Sequence, residues 1–205
     1  MHFELIKKLL SEQPQTSNVF KRNLVKEYLQ VVLLSYLYSH SEYQGLIFYG
    51  GSCLRHCFDM ERLSEDLDLI DLSDSVDMKK ISSDLILFLS KELGVKVVSK
   101  VQHFRIYLKI PVLKGLGISN QSESDYLFVK VEIYKKFNMT PACRVQMVPV
   151  FKYGRSLLVR TFDLSTLMST KIAAVLNRTW NPGGQLKSGQ SWPLQKRPVA
   201  GCVFS

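Results

Sequence analysis

Two short stretches of this 205-residue chain have the residue types and spacing for chemistry on phosphate. Gly50-Gly51-Ser52 reads as a tight turn whose backbone N–H groups, and the Ser52 hydroxyl, can meet phosphate oxygens. Without a Cβ, the glycines let a ligand approach the backbone closely. Asp66, fourteen residues after Ser52, and Asp68 form an Asp-x-Asp pair. On a strand, residues two apart share a face, so both carboxylates point one way and Leu67 the other. Two such charges repel, and a hard divalent cation relieves them. The combination is the layout of a site that holds a nucleoside triphosphate on Mg²⁺ or Mn²⁺. An acidic pair or a Gly-Gly-Ser alone is common. A strand before the turn, a helix after it and the pair on the next strand make the combination specific.

Other residues can complete such a site. In Phe128-Val129-Lys130-Val131-Glu132-Ile133-Tyr134, alternation puts Phe128, Lys130, Glu132 and Tyr134 on one face. Glu132, an acid on a central-looking strand, is expected as a third metal ligand and general base. Lys130, on the same face, is expected either to pair with the neighbours of Glu132 or to touch phosphate. Arg55 and Arg62 flank the turn and the Asp pair, placed to clamp a triphosphate or to bond an acid. Lys171 and Arg178 share one face of a late helix. His2, His40, His56 and His103 lack zinc spacing with one another or with cysteine.

The elements that must position these residues follow from periodicity. Helices are predicted over 3–10, 18–40 (capped by Ser17 or Asn18), 52–58, 77–93 (closed by Gly94) and 163–178 (capped by Asp163 or Ser165). Strands are predicted over 46–49, 67–72, 95–100, 103–110, 126–135 and 144–148, with one more strand or hairpin within 151–161, and a polar loop over 115–125. The order predicts an α+β fold, a mixed sheet flanked by helices. The expected organisation is an N-terminal helical segment (1–44), a catalytic core (45–162), a C-terminal helix (163–179) and an irregular tail (180–205).

Hydrophobic content of 46% supports a core and excludes wholesale disorder. No apolar run reaches transmembrane length, and the start of the chain lacks a signal-peptide layout. Four cysteines without a disulfide pattern fit a reduced, cytoplasmic setting. Net charge is +9, yet nine of the 18 acids fall between Asp59 and Asp84 against only Arg62, Lys79 and Lys80. An acidic pocket on a basic body suits a metal-dependent enzyme acting on a polyanion.

Gly50-Gly51-Ser52-Cys53-Leu54-Arg55 with Ser64-Glu65-Asp66-Leu67-Asp68 resembles the AbiEii/AbiGii toxin family of nucleotidyltransferases. That family's first motif is Gly-Gly-x-x-x-Arg followed by Ser-Glu-Asp-hydrophobic-Asp. Phe128 to Glu132 is similar to its second motif. Asp163 to Arg178 is similar to its third, which brings a lysine, here Lys171, near the nucleotide. The resemblance implies a polymerase-β-like core and magnesium-dependent transfer of a nucleoside monophosphate from a triphosphate. The implied acceptor is a hydroxyl of RNA, tRNA-like, or of protein. A separate antitoxin is implied as partner. After Arg178 the family's Arg-x-x-Lys-Asp-x-x-Asp motif is missing, and no Asp or Glu follows Asp163. The expectation is a copy truncated or frameshifted near residue 180, with impaired activity. The alternatives are a nucleotide-, RNA- or antitoxin-binding remnant, or a kinase-like use of the same fold.

Overall fold

The computed structural model describes residues 2–119, 124–135, 137 and 139–176. Arg178, Cys202 and the tail expected from residue 180 lie outside the described residues. Two helices come first, α1 (His2–Ser11) and α2 (Asn18–Ser39). Ser17 caps α2, its side-chain oxygen accepting from the Phe20 N–H. Then follow β1 (Ile47–Tyr49), α3 (Gly50–Cys57), β2 (Asp66–Ile70), α4 (Met78–Leu93), β3 (Val98–Gln102), β4 (Arg105–Pro111), β5 (Tyr126–Tyr134), β6 (Val145–Lys152), β7 (Arg155–Phe162) and α5 (Leu164–Leu176). Gly94 ends α4 in the left-handed conformation. Asp163 caps α5 by accepting from the Thr166 N–H. None of the described helices is long and apolar enough to cross a membrane.

The seven strands make one mixed sheet in the order β3-β4-β5-β2-β1-β7-β6. β2 runs parallel to β5 and antiparallel to β1, and β1 runs parallel to β7. The fold is therefore the mixed-sheet α/β arrangement expected of a nucleotidyltransferase core. One face carries Leu67 and Leu69 of β2, Ile106 and Leu108 of β4, and Val129, Val131 and Ile133 of β5, all fully buried. Helices α2 and α4 pack on it, and α1 packs on both helices. Each such aliphatic side chain contributes about 1.5–3 kcal/mol. That strength allows the opposite face to carry charge.

Three of the boundary differences from the sequence expectation matter here. The helix after β1 begins at Gly50, so the glycines are its first turn. β2 begins at Asp66, which puts both aspartates within the strand. The last two strands are longer than predicted and form a full hairpin. Tyr153 and Gly154 both take positive φ there (52° and 71°), the pattern of a tight primed turn. Pro149 lies within β6, past the predicted end at 148. It is tolerated because β6 is an edge strand, where its missing N–H costs no ladder bond.

Candidate active site

The first turn of α3 is shaped around one carboxylate. Gly50 has φ +83°, and a Cβ there would lie 2.1 Å from Asp68 Oδ2 and 2.8 Å from Asp68 Cγ. Only glycine leaves room for that side chain and takes that backbone conformation without strain. A Cβ on Gly51 would lie 2.8 Å from Ser64 Oγ and 3.7 Å from Lys171 Nζ. Lys171, exposed on α5, thus arrives at the same turn. The first amides of α3 have no partner within the helix, and an anion is favoured there.

The parallel register sets Asp66 opposite Lys130 and Asp68 opposite Glu132. All four side chains rise from the face opposite α2 and α4. Lys130 Nζ stands 2.8 Å from Asp66 Oδ2 and 3.0 Å from Glu132 Oε1, an ammonium shared by two carboxylates. Burial pulls the Lys130 pKa down, but its bonds to Asp66 and Glu132 outweigh that and leave it raised. Glu132 is 5% exposed. It accepts from Arg105 Nε at 2.7 Å and from the Tyr134 hydroxyl at 2.5 Å. Burial pushes its pKa up. The bonds from Tyr134 and Lys130 and the charges of Lys130 and Arg105 more than offset this, leaving it below the ordinary glutamate range. These are the electrostatics of a fixed anion.

Asp68 is the opposite case. It makes no hydrogen bond or ion pair among the described residues. Burial, then the charges of Glu132 and Asp66, push its carboxyl up to about 7 against the opposing pull of Lys171 and Lys130. Among the described residues no three His, Cys, Asp or Glu side chains stand grouped as a metal-binding set. Arg105, Lys130 and Tyr134 all bond Glu132. What remains suits a hard cation: two carboxylates on one strand face, one of them uncompensated.

Two sequence expectations are corrected here. The Ser52 hydroxyl is fully buried and donates to the Asp66 carbonyl at 2.5 Å, fastening α3 to β2. Only the Ser52 main chain is left to face a phosphate. Arg55 does not clamp a ligand. Its guanidinium donates to Glu27 of α2 at 2.9 and 3.3 Å and to the carbonyls of Met60 and Glu61. Arg62 lies exposed on the loop between α3 and β2 with no ion pair among the described residues. Gly50, Gly51, Asp66, Asp68, Lys130, Glu132 and Lys171 are brought together.

Sequence reasoning missed Arg105 and Glu27. The signal for Arg105 was available: Arg105, Tyr107 and Lys109 alternate with buried Ile106, Leu108 and Ile110. A basic residue on an antiparallel neighbour is the natural partner of an acid on a central strand. The signal for Glu27 was one acid inside an apolar helix.

The family model described as "Nucleotidyl transferase AbiEii toxin, Type IV TA system" matches residues 32–185, a span that includes the glycine turn, both aspartates, Glu132 and Lys171. No curated protein matches the chain. With three quarters of its length matched and the matched residues assembled around one uncompensated carboxylate, the chain belongs to the AbiEii nucleotidyltransferase toxin family of type IV toxin–antitoxin systems.

Proposed function

We propose that this nucleotidyltransferase moves a nucleoside monophosphate from a triphosphate to a hydroxyl of RNA. In this reading Asp66 and Asp68 hold Mg²⁺, and a separate antitoxin opposes the activity. The observation that carries it is the unpartnered Asp68, seated against Gly50 at the start of α3 with Asp66 and Glu132 abreast. When bound, the cation supplies charge neutralisation at the reacting phosphate. The chain does the rest. The N–H groups of Gly51 and Ser52 and the Lys171 ammonium bind the phosphate tail. Lys130 and Arg105 fix Glu132, and through it the field around Asp68. The acceptor oxygen forms a bond to the α-phosphorus and gives up its proton to solvent as the bond to the β-phosphate oxygen breaks, and pyrophosphate leaves. Positioning and preorganised charge supply most of the acceleration.

The test is incubation of the full chain with total RNA, Mg²⁺ and each α-labelled triphosphate. RNA should take up label, and Asp68→Asn should lower the rate about 10³-fold or more with an unchanged circular dichroism spectrum. Uptake from γ-labelled nucleotide instead would establish phosphoryl transfer. Nucleotide binding with no uptake of either label would establish a non-catalytic remnant.

A further inference from the structure

The face that carries Asp66, Asp68 and Glu132 continues across β5, β4 and β3 to the edge of the sheet. The main helix contacts of these strands are with α2 and α4, which lie on the other face. What is left open alternates basic and aromatic residues. On β5, Phe128 is 47% exposed and Tyr126 40%, two and four residues before Lys130. Opposite them on β4 stand Lys109 and Pro111, and Tyr107 stands opposite Lys130. Lys109 Nζ lies 5.8 Å from the centre of the Phe128 ring. On β3, Lys100 pairs with Tyr107. Glu132 is the one acid among the outward residues of these three strands, and Arg105 and Lys130 neutralise it.

An exposed Phe beside lysines on an open sheet face is costly for a surface with no ligand. It suits a strand of stacked bases joined by phosphates. A duplex would bury its bases and could not use the rings. The rings are also at the right distance from the site. Phe128 lies two residues, about 7 Å, from Lys130 along the strand, and Tyr126 about 14 Å. We propose that the open face of β3, β4 and β5 is the platform for the acceptor. A single-stranded RNA end would stack its bases on Phe128, Tyr126 and Tyr107. Lys100 and Lys109 would hold its phosphates, and its terminal hydroxyl would be delivered to Asp66 and Asp68. The inference rests on the proposed transfer to RNA and names how that acceptor is held.

The experiment separates the platform from the chemistry. Binding of a fluorescein-labelled, mixed-sequence, ten-nucleotide single-stranded RNA to the full chain is followed by anisotropy in EDTA, so that no transfer can occur. Phe128→Leu should weaken binding about tenfold and Phe128→Tyr should restore it, because stacking and not apolar area is at stake. Replacing Lys100 and Lys109 with alanine should flatten the dependence of log affinity on log salt by about 0.7 per lysine. Equal affinity of the Phe128→Leu variant and the original chain would overturn the platform. So would tighter binding of a blunt RNA duplex, or a dimer in sedimentation that Phe128→Leu dissolves. Absence of label transfer with the oligonucleotide pattern intact would overturn the proposed chemistry and leave the platform standing.

Discussion

Two carboxylates on this protein are taken out of bulk water in opposite ways. Glu27 of α2 is 2% exposed and fully answered: Arg55 bonds both of its oxygens and the Tyr153 hydroxyl donates to it at 2.9 Å. Lys152 extends the same knot by donating to the Arg55 carbonyl. Asp68, half-buried across α3, has two like charges for neighbours and no bonded partner. A paired buried charge is a fastening, here of α2 to α3 and to the β6–β7 turn. An unanswered one is sustained by the fold around it and is free to answer a ligand. Arg55 and Asp68 both lie within the span that the family model matches, yet one is spent on architecture and the other is not.

Exchanging the two losses gives the sharpest test of that contrast. Asp68→Asn should leave stability equal or slightly higher, since it removes a repelled charge, while removing transfer. Glu27→Ala should do the reverse. Breaking a buried, hydrogen-bonded pair costs about 3–5 kcal/mol, read as a lower urea midpoint. Molecules that remain folded should retain near-normal transfer. A Glu27 variant of full stability would erase the distinction.

Gly50→Ala should come next. The added methyl meets Asp68 Oδ2 and takes a backbone conformation that costs a non-glycine residue about 1–2 kcal/mol. Asp68 must move, and a shift of about 1 Å at the reacting centre is expected to cost about 10²-fold in rate. Gly94→Ala shares the backbone cost, with φ +66° and nothing within 4 Å of the new methyl. It should lose stability without losing transfer.

The last effect concerns His56, beside the Glu27 knot, and leaves transfer untouched. Burial pulls its pKa down to about 4; the nearby Glu27 charge opposes this only in part, and those of Lys152 and Arg55 add to it. Its Nε2 meets the Gln30 side-chain oxygen at 3.0 Å, and Nδ1 is buried with no hydrogen-bond partner among the described residues. Below about pH 6.5 the unfolded chain takes up a proton that the folded chain refuses until about pH 4. Stability should therefore fall as pH drops through that window, by about 2 kcal/mol between pH 7 and pH 5. His56→Gln should flatten that part of the urea midpoint profile.

What could be read from the sequence was whatever depends on local period. The alternation around Glu132, the α4 helix with its Gly94 stop, and Asp66 and Asp68 on one strand face all follow from spacing within a few residues. What could not be read depends on contacts between distant segments. Nothing near Arg55 in the chain points to Glu27, which is 28 positions away, and nothing near Ser52 points to the Asp66 carbonyl. Nor could the extent of β6 through Pro149 be read, because a strand tolerates proline according to whether it lies at an edge, and the order of the sheet decides that.

The parallel pairing of β2 with β5 also has a consequence in time. Asp68 and Glu132 sit side by side but are 64 positions apart in the chain, and Lys171 is later still. A ribosome therefore delivers the glycine turn and both aspartates well before the strand and helix that complete their surroundings. Closing so long a loop into parallel register is among the slower folding events. A cell making this protein meets no assembled centre until nearly all of the described chain has emerged and docked.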